Sequence, residues 1–400
     1  MRICHLITRL IIGGAQENTV LSCRGLREIG HDVTLAAGAE TGPEGSLWPD
    51  ARSIGCRLVR LGHMRRAIRP ISDWRAVAEL VALFRTTRPD VVHTHSSKAG
   101  IIGRWAAAKA GVPVIVHTIH GMSFNRTQPA PVRWLYRSLE RRLAGRTSAF
   151  VTVADAMTHQ AVSAGLATPD RFVTIRSGMD TARFAPDERQ RHSVRRDWGI
   201  GNDELVVGTV ARLFVNKGYE EIIAAMPAIV AEVPNVRFVW IGDGAQRGAY
   251  ERRLETLGVR DRVRLTGLIH PNDVAVSITG FDVILHASRW EGLPRALVQG
   301  LLTEVPAVSF DNDGAVEVVL ADQTGIAVPF GDTRRLAKAV INLAQDAASR
   351  RRLGRRGREL CLTMFDWKDM VKKLDELYRT LAERAGDRAQ SIGKQMQNAE

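Results

Sequence analysis

Two cations, Arg212 and Lys217, stand five residues apart in ARLFVNKG, and Gly218 follows them. Arginine offers a planar fork of donors and lysine a compact point charge, so such a pair in one loop can clamp a diphosphate. Solvated loop charges are the plainer reading; a place directly after an apolar run favours a ligand. A second stretch, HASRW, leads into Glu291-Gly292-Leu293-Pro294. Pro294 suits a first helical turn, where its missing N–H costs nothing. Amides near Gly292 and Leu293 are then expected to be available to an anion or to hydroxyls. Gln299 lies about a turn and a half into that helix, within reach of the same ligand as Glu291. The alternative is a glutamate that merely complements the helix macrodipole. Gly13 and Gly14 stand between an apolar run and a helical stretch, where phosphate can approach backbone amides; a plain tight turn explains them equally well. Four histidines cluster, His93 and His95 in HTH, His117 and His120 in HTIHG. His-x-His puts two rings on one strand face, as a metal site requires. No cysteine or acidic ligand stands beside them, so hydrogen-bonded core histidines are the plainer reading. His120, followed by Gly121, is the best placed to touch a substrate.

These residues need elements to hold them, and the sequence supplies two series. Short β-rich runs start at Arg2, Asp32, Arg57, Asp90, Pro113 and Ala149, with helical stretches between them such as Gln16 to Ile29 and Trp74 to Arg85. A second series starts at Leu205, Val236, Arg262, Phe281, Pro306 and Gly325. Near-continuous apolar strands with helical crossovers predict parallel sheets covered on both faces. The expectation is an α/β protein of two Rossmann-like, doubly wound domains facing across a cleft. Ligands of such sheets bind at the carboxyl ends of the strands, where every motif above falls. The domains are expected at 1–185 and 204–366, joined by a stretch at 186–203 with the composition of a polar linker and room for a short helix. Apolar residues at Met370, Val371, Leu374, Leu377, Tyr378 and Leu381 have helical spacing and predict a final helix over 367–385. The polar tail, 386–400, is expected to be disordered.

The chain has 400 residues, 45% of them hydrophobic, enough to bury a core without disulfide or metal staples. Its four cysteines form no CxxC, so reduced thiols are expected. No run approaches the length of a membrane-spanning helix. Arg9 interrupts the first apolar run and no small-residue cleavage site precedes Gln16, so that run reads as a first strand and the protein as cytoplasmic. The net charge of +13 is lopsided: residues 1–180 hold 24 Lys and Arg against 13 Asp and Glu. A one-sided basic field suits an anionic partner. No recognition motif or run of basic residues interleaved with exposed aromatics points to nucleic acid. The segment PVRWLYRSLERRLAGR instead sets Trp134, Leu135, Leu139 and Leu143 at helical spacing among Arg133, Arg137, Arg141, Arg142 and Arg146. That pattern fits a helix lying on an anionic membrane surface, or a core-packed helix with a solvated basic face.

In order along the chain stand GGAQ at Gly13, DVVHTHSSKAGIIGR at Asp90, VHTIHG at Val116, SGMDTARF at Ser177, GTVARLFVNKG, IGDG at Ile241, DRVRLTG at Asp261 and SRWEGLPRALVQG at Ser288. With these motifs the chain resembles the retaining family-4 glycosyltransferases, which have the GT-B fold, from about Arg2 to Leu381. The resemblance implies a nucleotide-sugar donor held mostly by the C-terminal domain, and a glycan or lipid-linked acceptor bound by the N-terminal one. It implies that Arg212 and Lys217 bind the donor diphosphate and that Gly13 and Gly14 lie near the phosphates. His120 contacts the transferred sugar, Glu291 binds its hydroxyls, and Gly292 and Leu293 offer amides. It also implies that the final helix crosses back onto the N-terminal domain. Gln299 replaces the second glutamate of the family's E-x7-E motif; an amide loses the charge-assisted strength of a carboxylate, which puts donor affinity and donor choice in question. The resemblance implies a reaction that retains configuration and needs no metal or other cofactor, which fits the lack of a DxD motif beside the phosphate-binding residues in the sequence. Cell-surface polysaccharide or glycolipid biosynthesis, at the inner face of the cell membrane, is the expected setting. Two alternatives stay open: a GT-B sugar-nucleotide epimerase, and a sugar-nucleotide-binding protein with weakened catalysis.

Overall fold

The computed structural model describes the chain except for residues 40, 43, 125–127 and 398–400; for 388, 389 and 391–397 it describes the backbone only. The chain divides into two compact units, Met1–Met179 with Trp367–Glu400, and Asp180–Asp366.

The first unit is built on seven strands: β1 (Arg2–Arg9), β2 (Asp32–Gly38), β3 (Arg57–Leu61), β4 (Val91–His95), β5 (Val114–Ile119), β6 (Ala149–Thr152) and β7 (Phe172–Thr174). They pair in the order β3-β2-β1-β4-β5-β6-β7, all in parallel. Alternation along β1 sends Ile3 and Ile7 to one covered face and Cys4 and Leu6 to the other. The second unit has six strands: β8 (Leu205–Val210), β9 (Val236–Ile241), β10 (Val263–Gly267), β11 (Val283–His286), β12 (Ala307–Phe310) and β13 (Gly325–Val328). Their order is β10-β9-β8-β11-β12-β13, again all parallel. Each is a doubly wound sheet, as the apolar runs predict. The strand order reverses between β1 and β4 in one sheet and between β8 and β11 in the other, and ligands of open α/β sheets bind beside such reversals.

The final helix runs Trp367–Gln397, twelve residues past its expected end, and belongs to the first unit. Trp367, Met370, Val371, Leu374 and Tyr378 join the core made by β1, β2 and the helix Gly14–Glu28. The contact is close at Gly25, where an added Cβ would come within 2.4 Å of Val371. Of the tail expected to be disordered, 386–397 is helical backbone, and 398–400 lie outside the described residues.

The linker needs correction. The units divide at Met179/Asp180, before residue 185, and the polar stretch 186–203 carries a helix, Glu188–Trp198, inside the second unit. Asp187 caps it by accepting from the amides of Arg189 and Gln190, at 2.9 and 3.0 Å. Arg191 and Arg195 both reach Asp282, at 2.6 and 2.5 Å, and Arg195 also donates to the carbonyls of Gly280 and Glu204. Arg195 is fully buried. The segment resembles a linker in composition because its buried contacts are ionic and hydrogen-bonded.

Candidate active site

In the second unit the candidate residues gather where β8 and β11 end. After β8, Arg212 lays its guanidinium 4.6 Å over the Phe214 ring. A short 3-10 turn, Val215–Lys217, then leads to Gly218. Gly218 has φ 74°, and an added Cβ would collide with the carbonyl of Ala287 just beyond β11. Only glycine permits both the left-handed conformation and that approach. The crowding brings the β8 loop against the β11 loop, and Lys217 Nζ donates to Glu291 Oε1. Ser288 Oγ donates to the same oxygen at 3.0 Å, and His286 Nε2 lies 3.5 Å from it. Burial raises the Glu291 pKa, but the Lys217 charge and the neighbouring His286 outweigh it and hold the carboxyl well below the usual carboxylate range. Glu291 is therefore an ionised acceptor at neutral pH, able to receive hydroxyl groups while Lys217 supplies positive charge.

The loop that carries Glu291 is fastened from β12. Asp313 Oδ2 accepts from the Glu291 amide at 2.7 Å, and Asn312 Nδ2 donates to the carbonyls of Ser288 and Arg289 at 3.1 and 3.0 Å. Asp311 Oδ1 accepts from the Phe330 amide at 3.0 Å. This Asp311-Asn312-Asp313 run is a DxD sequence beside the candidate diphosphate loop in space, an adjacency that the sequence reading missed. Its three side chains are spent on backbone groups of neighbouring loops. The helix after Glu291 is Arg295–Leu302, with Pro294 at its N-cap position, one residue before the expected first turn. Gly292 and Leu293 are buried and Gln299 is partly buried on the helix. No hydrogen bond engages the Gly292 or Leu293 amide among the described residues.

In the first unit Gly13 precedes, and Gly14 begins, the helix after β1. His120 follows β5 and lines an open concavity of about 260 Å³ with Ala15, Ser96, Ser97 and Gly121 among its walls. The other three histidines of the cluster are core residues. His93 and His95 lie on one face of β4, and His117 is bonded to Thr94 through Nδ1, 2.9 Å from the hydroxyl. Parallel pairing sets His5 of β1 opposite His93. The ligand atoms of His5, His93 and His95 lie within 4.8 Å of one another, close enough to raise a metal site. Every ring nitrogen of the three except His5 Nε2 already has a partner: His5 with His95, His95 with His120, and His93 with Tyr378 and Thr118.

Sequence reasoning placed Arg212, Lys217 and Glu291 at strand ends, and the fold brings Lys217 to Glu291. It passed over His286 and Ser288, whose only signal is their place at the end of FDVILHAS, and it passed over His5 entirely.

Comparison with known proteins adds to this geometry. Residues 190–360 match the family model "Glycosyl transferases group 1", and residues 13–178 match "Glycosyl transferase 4-like domain". The chain is 26% identical over 381 residues to the Escherichia coli UDP-Gal:alpha-D-GlcNAc-diphosphoundecaprenol alpha-1,3-galactosyltransferase, covering 94% of this chain and 96% of that one. It is 29% identical to the putative glycosyltransferase EpsD of Bacillus subtilis, covering 75% and 79%. Among solved structures, Anabaena HepE in complex with UDP and glucose matches with a TM-score of 0.83 at 19% identity, over 95% of this chain and 100% of that one. WaaG, a glycosyltransferase involved in lipopolysaccharide biosynthesis, matches with a TM-score of 0.74 at 17% identity, over 94% and 99%. Two matched family models covering most of the sequence, on two doubly wound sheets, lead to one conclusion: the chain belongs to the family-4 glycosyltransferases and has the GT-B fold.

Proposed function

We propose that this glycosyltransferase moves a sugar, with retention of configuration and without a metal ion, from a nucleotide-sugar to a glycan or lipid-linked acceptor in cell-surface polysaccharide or glycolipid assembly. The observation that carries the reading is the Lys217–Glu291 pair at the strand reversal of the second sheet, buttressed by Ser288 and His286. Cleaving a sugar–diphosphate bond places negative charge on the leaving group. Fixed cations aimed at that charge stabilise the transition state more than the ground state. Arg212 and Lys217 supply them. Glu291, ionised, accepts hydrogen bonds from the sugar hydroxyls, and the amides of Gly292 and Leu293 donate to the sugar or phosphate. The departing diphosphate, on the same face as the incoming hydroxyl, takes its proton, which accounts for retention. His120 contacts the transferred sugar from the first unit, Gly13 and Gly14 lie by the phosphates, and Gln299 accepts from the ribose. Relatives named for lipid-linked acceptors, the Escherichia coli galactosyltransferase for a diphosphoundecaprenol and the Mycolicibacterium smegmatis mannosyltransferase for a phosphatidylinositol monomannoside, favour a lipid-linked acceptor.

A panel of UDP- and GDP-sugars, with EDTA present and absent, tests the reading through nucleotide release and product analysis. We expect one donor to be consumed and equal rates with and without chelator, because Arg212 and Lys217 stand where a cation would. Loss of turnover in EDTA with recovery on adding Mg²⁺ or Mn²⁺ would sink the metal-free mechanism and return attention to the Asp311–Asp313 run. An epimerised sugar-nucleotide without transfer would favour the epimerase.

We place the enzyme in the cytoplasm, attached at the inner face of the membrane through the helix Ala130–Ala144. No helix among the described residues is long and apolar enough to cross a membrane. On this helix Val132, Trp134 and Leu135 are exposed, Trp134 by 70%. Arg133, Arg141, Arg142 and Arg146 are exposed beside them. Arg137 and Arg141 have structural work: they donate to the carbonyls of Ala164 and Gly165 at 2.8 and 2.9 Å. Variants that test membrane binding should therefore spare both. Each basic residue near an anionic bilayer contributes about 1 kcal/mol, screened by salt. We expect co-sedimentation with vesicles containing anionic lipid, release in high salt, and binding weakened about thirtyfold or more at low salt for Trp134→Ser combined with Arg133→Glu and Arg142→Glu. Equal recovery with neutral and anionic vesicles at low salt would refute attachment.

A further inference from the structure

The chain has eight tryptophans, and the exposed ones are Trp74 at 68%, Trp105 at 45% and Trp134 at 70%. They fall one on each of three neighbouring helices of the first unit, Pro70–Thr87, Ser97–Ala110 and Ala130–Ala144. The three helices cover one face of the sheet. Ala76 and Ala99 pack with Leu6 and Ile115, and Ala144 packs with Ile119, which alternation puts on the same side of β5 as Ile115. A single exposed apolar residue is ordinary; three indoles on adjoining helices of one layer call for a partner.

Two ion pairs fix where the indoles stand. The helices cross between consecutive parallel strands, so they run in one direction. Asp73 pairs with Lys98 at 2.6 Å, which sets Trp74 level with the start of the middle helix. Arg104 pairs with Glu140, both buried. Lys98 lies six residues before Arg104, and Trp134 six before Glu140, about 9 Å in each case, so Trp134 is level with that start too. Trp105 follows Arg104, about 10 Å further along. With neighbouring helices about 8–10 Å apart, the indoles form a triangle with a base of about 20 Å. Three points out of line define a plane.

The layer is also basic. Its helices hold nine Lys and Arg against three Asp and Glu. None of the three acids is exposed: Asp73 pairs with Lys98, Glu140 pairs with Arg104, and Glu79 accepts from the Gly62 amide at 2.9 Å. Six of the cations are exposed, Arg75, Arg85, Lys109, Arg133, Arg141 and Arg142. Across the sheet, the helix Gly14–Glu28 carries two residues of each sign, so the excess belongs to this face rather than to an arginine-rich composition. Aliphatic side chains extend the indoles. Ile68 and Ile71 are exposed beside Trp74, as Val132 and Leu135 are beside Trp134. Lys98 Nζ also donates to the Ala67 carbonyl, which ties the loop carrying Ile68 to the layer.

We propose that the outer face of this three-helix layer lies flat on an anionic bilayer, with Trp74, Trp105 and Trp134 seated at headgroup level. This rests on the attachment of the helix Ala130–Ala144 and adds two helices to it. One helix leaves the unit free to pivot on the surface; a triangle of anchors fixes its orientation. Indoles favour the boundary between bilayer and water, and exposed cations are drawn to anionic headgroups. A second copy of the chain is a poor occupant, because a two-fold contact would set this face against itself, cation against cation. Ser97 and Glu140, which line the concavity beside His120, belong to the middle and third helices, so the concavity opens at the rim of the layer. The headgroup of a bilayer-borne acceptor reaches it there.

The test binds the full-length protein to vesicles of phosphatidylcholine and phosphatidylglycerol at low salt, with a melting curve for each variant. Trp74→Ser combined with Arg69→Glu and Arg75→Glu changes nothing on the helix Ala130–Ala144, yet it is expected to weaken binding about thirtyfold or more. All three side chains are exposed, so the melting temperature should move little. In vesicles brominated high on the acyl chains, Trp74→Phe, Trp105→Phe and Trp134→Phe should each lower the quenched share of tryptophan emission. Should the triple variant lose its fold, this phenylalanine series still decides. Wild-type binding by the triple variant, or quenching that falls with Trp134→Phe alone, overturns the three-helix face and leaves attachment through Ala130–Ala144 standing. No binding of the wild type to these vesicles overturns both. A dimer that the triple variant dissociates assigns the face to a second copy and overturns the bilayer as its partner.

Discussion

Taking the protein from pH 7.5 to pH 5 is expected to destabilise the first unit by about 2 kcal/mol through His5 alone, and further through the buried histidines beside it. His5, His93 and His95 are buried side by side on β1 and β4, and burial lowers the pKa of each, His5 to about 3. For His93 and His95 the charges of neighbouring histidines push the same way; His117, across the sheet, is lowered by burial and by Arg104. The sign follows from proton counting. Below an unfolded value of about 6.5 the unfolded chain binds protons that the folded chain refuses, so unfolding takes up protons and stability falls as pH falls. At pH 5 His5, whose folded value is about 3, costs about 2 kcal/mol, and His93, His95 and His117 add to that in the same direction. The loss begins near pH 6.5. Glu291 works in the same direction but in a lower window: its depressed pKa stabilises the fold until pH drops through the folded value. Hydrogen exchange, corrected for its intrinsic pH dependence, measures the effect. Amides of β1 and β4 should lose protection across this range far more steeply than amides of β8 and β9. His5→Phe should flatten the slope by about one proton. Parallel losses in the two sheets would show that the buried histidines do not control acid stability.

The second large effect concerns the cationic loop. Lys217→Ala and Arg212→Ala are each expected to lower kcat/KM about 100-fold, which corresponds to about 3 kcal/mol of transition-state stabilisation. Lys217→Ala should be the more severe. It removes a charge from the leaving group and also releases Glu291, whose Oε1 then keeps only Ser288 and His286. Arg212 is held by stacking on Phe214, so its loss leaves Glu291 in place. Both side chains are partly exposed, and the melting temperature should move little. Steady-state kinetics beside a melting curve separates the outcomes: near-normal turnover in either variant removes that residue from the site, and a large drop in melting temperature assigns it to the fold.

Much of this molecule is legible before any coordinates. Parallel strands buried on both faces are near-continuous apolar runs, a signal carried by neighbouring residues, and each run named at the outset forms a strand of the two sheets. The motif loops are legible for the same reason, since a turn that follows a strand is a local feature. The final helix announced its apolar stripe, and the motif order announced the family. Contacts between residues distant in sequence are different, because no local pattern encodes which strand lies beside which. The helix at 188–198 reads as a linker since its partner, Asp282, is more than eighty residues away on the approach to β11. Lys217 meets Glu291 across 74 residues because Gly218 lets two backbones come together. His5 looks like one more strand residue until the β1–β4 register sets it opposite His93 and brings it to His95, which in turn reaches His120. Composition and periodicity settle which elements form and where ligand loops hang. Strand order and register settle which side chains share a proton or a charge, because those interactions act over about 3 Å and only folding brings the groups that close.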